Sequence, residues 1–162
     1  MLFQFCQWIY NTALGTSIRE SIWVFPIIET IHVLGIALLV GTVAILDLRL
    51  LGLVLKREPV SELAGQILPL TWLGFAVMFL SGLLLFSAEA AKSYGNPAFR
   101  IKLLLLLLVG LNPLIFHFTI YRSVSAWDVS AITPRRARAA AVLSLTLWGG
   151  IIVAGRAIAY FQ

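Results

Sequence analysis

Charge is what this 162-residue chain has least of: Asp, Glu, Lys and Arg make up 12% of it, against 60% hydrophobic residues. Soluble domains carry about 25% charged residues, and a chain this short cannot bury so much apolar surface in its own interior. Lipid must be the solvent for much of its length. A single cysteine, Cys6, excludes an internal disulfide framework. No CxxCH occurs, which excludes covalent haem attachment of that kind. Cys6, Met1 and Met78 are the only sulfur donors, too few and too scattered for Cu(I) handling. Two histidines without further ligands at useful spacing do not make a zinc site. The opening MLFQFCQWIYNTALG lacks a basic region and a small-residue cleavage site, so it does not read as a cleaved signal. Its Phe3, Phe5, Trp8 and Tyr10 suit an interfacial helix over about residues 2–15.

What the chain does have is four apolar runs long enough to cross a bilayer, which takes about 20 residues. They span about 22–46, 68–88, 101–121 and 139–158, and the connections are short and polar. The expected fold is all-α: one integral membrane four-helix bundle with a short N-terminal interfacial helix. The net charge of +5 comes from basic residues lying mostly between the runs, where they orient the chain, so no nucleic-acid partner is expected. Arg49, Lys56, Arg57, Arg122, Arg135, Arg136 and Arg138 fall on one side, seven in all. Arg19, Lys92, Arg100, Lys102 and Arg156 fall on the other, five in all. Basic residues favour the inside, so both termini are expected outside.

Ionisable groups within a membrane segment are costly and usually face the bundle interior. Both histidines of the chain, His32 and His117, lie inside apolar runs. At about 100° per residue, Glu29, Gly35, Leu39, Val43 and Asp47 share a face with His32. In the third run Gly110, Pro113 and His117 share a face that Lys102 begins, and Pro113 is expected to bend the helix and aim His117 inward. Two neutral imidazoles in an apolar bundle are the ligands a b-type haem takes. Lys102, Arg100 and Arg156 are then candidates for its propionates, and Glu29 for the second ring N–H of a ligating histidine. Asp47 and Arg49 read as a boundary pair, or as groups that cap and orient the inner end of the first helix.

Depth leaves two arrangements open. Measured from Glu20 and Lys102, the histidines lie 12 and 15 residues in, a difference of about 5 Å. Measured back from Arg49 and Arg122 they lie 17 and 5 residues in, a difference of about 18 Å. The first ruler allows one shared iron; the second leaves His32 as a ligand alone, with His117 in another role.

IETIHVLGIALLVGTVAILDLRLLG and FRIKLLLLLLVGLNPLIFHFTIYR together resemble a family of small bacterial four-helix membrane proteins, itself distantly similar to the CopD-like group that includes HemJ-type protoporphyrinogen oxidases. The resemblance covers about a third of the chain. It implies a bacterial inner membrane, a bound haem b with His32 as ligand, and Lys102 close to the porphyrin. The chain departs from the pattern at His117, which falls about one turn later than expected, some 6 Å deeper. Three functions follow as expectations: electron transfer between quinol, or another membrane donor, and a redox partner; protoporphyrinogen oxidation; or a haem-free accessory role in a membrane complex. Lipid, a quinol or membrane redox protein, and further copies of the chain are the partners considered.

Overall fold

The computed structural model describes residues 1–128 and 133–161, and within them every regular element is helical. Two short helices, α1 (Leu2–Tyr10) and α2 (Ala13–Glu20), precede four long ones. These are α3 (Val24–Leu50), α4 (Val60–Gly95), α5 (Pro97–Thr119) and α6 (Arg135–Ala157), with 3-10 turns at Tyr121–Ala126 and Ile158–Tyr160. Each long helix is apolar and long enough to cross a membrane. The protein is a membrane four-helix bundle. Leucines, isoleucines and phenylalanines cover its outside, as a lipid solvent requires.

Where the helices begin and end follows from local chemistry. The expected single helix over 2–15 is two helices, because the Thr12 hydroxyl accepts from the Gly15 N–H and starts α2 afresh. Gly15 then lies so close to α4 that a Cβ there would sit 2.7 Å from the Ser87 carbonyl oxygen. Arg19 fastens the pair to α4, donating to the Tyr10 and Ala88 carbonyls and covering the Tyr10 ring at 3.7 Å. Gly52, at φ +73°, ends α3, and the Leu53 N–H reaches back to the Leu48 carbonyl. Asn96 accepts from the Phe99 N–H to start α5, with Pro97 at its first position, and donates to the Ile158 and Phe161 carbonyls at the end of α6.

Both termini lie at one end of the bundle, here the terminal end, and the α3–α4 and α5–α6 links lie at the other, the connection end. At 36 residues α4 is roughly 54 Å long, more than the ~30 Å hydrocarbon core. Its backbone breaks at Glu89 (φ −123°, ψ 15°), and the surplus turns carry α1 and α2. Helix α3 packs chiefly on α4, α5 packs chiefly on α6, and α3 joins the pairs through α6. The first pair is tight: a Cβ on Gly35 would lie 2.9 Å from the Met78 nitrogen, and one on Gly74 2.7 Å from the Leu39 nitrogen. At mid-depth Leu39, Val109, Leu147, Trp148 and Ile151 form an apolar layer. Polar side chains sit on either side of it.

Candidate functional site

His32 lies on the terminal side of that layer, buried between α3 and α4. Its Nδ1 is 3.0 Å from the Ser81 hydroxyl. That hydroxyl has one proton, and it donates this to the Val77 carbonyl at 2.5 Å. With its proton directed at Val77, Ser81 favours accepting from the ring, which assigns the proton to Nδ1 and the lone pair to Nε2. The Met78 carbonyl is a second acceptor beside the ring, and the side-chain hydrogen bond with resolved geometry is the one at Nδ1. Gly82 makes room for the ring: a Cβ there would stand 3.1 Å from Cε1.

Lys102 comes from α5 into the same part of the bundle. It is half-buried, its ammonium runs along Gly155 of α6, and its charge reaches the His32 ring. It has no carboxylate partner among the described residues, where the one ion pair is Lys92–Glu89. The site is thus an oriented imidazole, a cation without a carboxylate partner, and two glycines whose missing side chains the ring and the lysine stem fill. Ser81 and Gly82, which fix the ring, were not singled out from the sequence; their signal was a small polar residue beside a glycine in an otherwise leucine-rich run.

The other expected site residues are elsewhere. His117 is exposed and stacks on Tyr121 near the connection end. It is 15 residues beyond Lys102 on the same helix, roughly 22 Å along the axis. One iron cannot take both imidazoles. The shorter estimate of depth failed because Glu20 belongs to α2, separated from α3 by a turn, and so measures nothing along α3. Nor does Pro113 turn His117 inward, since α5 continues through it as a helix. The inward stripe of α5 runs through Ala98, Lys102, Leu105, Val109, Asn112 and Phe116, whereas Gly110, Pro113 and His117 share the outward face. Glu29 is exposed, and Ser81 takes the place expected for it at the ring. Arg100 binds the Tyr94 carbonyl and Arg156 lies over the Tyr160 ring, both exposed.

Asp47 and Arg49 do not pair with each other. Arg49, 1% exposed, donates to the carbonyls of Glu58 (2.9 Å) and Asp128 (3.4 Å), tying α3 to both connections. Asp128 in turn accepts from the backbone and hydroxyl of Ser61 at the start of α4. Those bonds, together with the Arg49 charge, hold its carboxyl below the ordinary carboxylate value. Asp47 is buried beside Ser144 of α6.

A haem held by two histidines does not fit this arrangement. A porphyrin held by one does fit the donor set: the lone pair of His32 is assigned to Nε2, its ring is oriented from behind by Ser81, and Lys102 supplies a cation for an acidic substituent. No cluster of three or more His, Cys, Asp or Glu side chains suited to a bare metal ion occurs among the described residues. No curated protein and no solved structure matches the chain. Residues 5–161, nearly the whole chain, match one family, and by that match the protein belongs to the family of unknown function DUF6644.

Proposed function

We propose that the protein is a membrane-embedded b-type haem-binding protein that passes electrons between a membrane donor such as quinol and a partner protein. The observation that carries the reading is the lone pair on Nε2 of His32, assigned there because Ser81 favours accepting from Nδ1. When bound, haem would supply a one-electron couple. The chain's own residues would hold it: His32 would offer a nitrogen ligand, Ser81 would orient the ring, and Lys102 would offer a positive charge to a propionate. Gly82 and Gly155 keep side chains out of the way. The resemblance supports a bacterial inner membrane, and the seven-to-five excess of basic residues at the connection end supports both termini in the periplasm.

The test is a reduced-minus-oxidised spectrum of the protein purified in detergent after expression with added haem. Wild type and His117→Gln are expected to show b-type bands, and His32→Ala to lack them. A wild-type preparation without bands, or a His32→Ala preparation that keeps them, refutes the assignment.

A second reading, oxidation of a porphyrinogen ring, is favoured by one specific observation. His32 and Lys102, which the HemJ resemblance singles out, lie in two different helices, and the Lys102 charge acts on the His32 ring. Rescue of a strain lacking that step by the wild type, and its loss in Lys102→Met, is the expected result for this enzyme. Failure of the wild type to rescue removes it.

A further inference from the structure

Asp47 is the buried group that the haem reading leaves unused. Its side chain is 6% exposed, and Oδ2 is shut away with no hydrogen-bond partner among the described residues. The Ser144 hydroxyl is its hydrogen-bonding neighbour. The charges that could neutralise it are directed elsewhere. On its own helix, Arg49 is committed to two carbonyls. On α6, Arg138 is exposed and lies six positions before Ser144. Helix α4 brings only the exposed Glu62 to this end, while on α5 His117 is exposed and Asn112 is bound to the Ala140 carbonyl.

A lone carboxylate anion inside an apolar bundle is strongly disfavoured, and an orphaned buried polar atom needs a cause. One carboxylate and one hydroxyl are too few oxygens to replace the shell of a hard metal cation. A proton removes the charge without any further ligand. A groove of about 250 Å³, lined by Leu51, Arg135, Arg138, Ala139 and Val142, opens at the same end of the bundle as Asp47. Leu51 is one helical turn beyond Asp47 on the same side of α3.

We infer that Asp47 is an intramembrane proton-binding site, loaded and unloaded through the Arg135–Arg138 groove. The site stands apart from His32 and does not depend on haem. Infrared spectroscopy of the full chain in lipid nanodiscs at neutral pH tests it, with aspartate labelled by carbon-13 at its side-chain carboxyl. The chain holds two aspartates, and Asp128 is an acceptor at the surface of the connections. One protonated-carboxyl band is expected, moved by the label, moved again by deuterated water, and absent from Asp47→Asn. Absence of the band, insensitivity to the label, or its loss on adding sodium or potassium chloride at constant pH overturns the inference, the last by making the ligand a metal cation. Because the label reads the wild type, a variant that does not assemble leaves the test intact. Ala139→Trp, which fills the groove, is expected to slow deuterium exchange of the band at least tenfold, and unchanged exchange overturns the route.

Discussion

The Ser81 hydroxyl orients the His32 ring, because a single proton already given to Val77 favours an acceptor role toward Nδ1. Ser81→Ala keeps the imidazole but lets its tautomer and orientation relax. Groups that orient a ligand in this way are worth roughly 10–100-fold in affinity, so haem titration of this variant is expected to give a dissociation constant about tenfold or more higher. A Cβ on Gly82 would crowd Cε1 at 3.1 Å. On the haem reading, Gly82→Ala is expected to shift the absorption bands while the helical circular dichroism stays that of wild type. At this scale the sequence was partly legible. Helical spacing put His32, Gly35, Leu39 and Asp47 on one face, and all four are buried. The same spacing put Glu29 there too, but it lies one turn nearer the end of α3, outside the packed length, and is exposed.

Among elements, α3 and α4 are held closest, through glycines that let backbone meet backbone. A methyl on Gly74 would lie 2.7 Å from the Leu39 nitrogen, where no flexible side chain can yield. Gly74→Ala is expected to cost about 1–3 kcal/mol, the usual range for overpacking, read as an earlier unfolding transition in mixed micelles. Arg19 does for α1 and α2 what glycine does for the long pair, by binding two carbonyls on different elements. Arg19→Ala is expected to release the N-terminal helices, seen as faster amide exchange over residues 2–20 with the exchange of α3 unchanged. In α5 the sequence misled, since Gly110, Pro113 and His117 do share a face. That face points to lipid, as a helix that is apolar all round gives no sign of which side its neighbours occupy.

For the whole molecule the connection end matters most, because Arg49 and Asp128 join three segments distant in sequence. Asp128 is ionised more readily in the folded chain than its ordinary value of 3.8 would allow. A carboxyl lowered on folding contributes stability above its unfolded pKa and loses it as pH falls through the folded one. The protein is therefore expected to weaken as pH drops through and below about 4, and Asp128→Asn to flatten that dependence, as judged by thermal unfolding between pH 3 and 7. Four crossings also require both termini on one side, and reporter fusions at each end are expected to give the same answer.

Composition and run length alone determined that this is a four-helix membrane protein, since hydrocarbon admits little else for a chain so poor in charge. Which polar groups would meet was decided only by the packed structure. The lipid-facing and neighbour-facing sides of a leucine helix look alike in sequence, and the register between helices is set by contacts such as Gly35 on Met78 and Gly74 on Leu39. The packing of α5 on α6 is what turned Lys102 inward and left His117 outside.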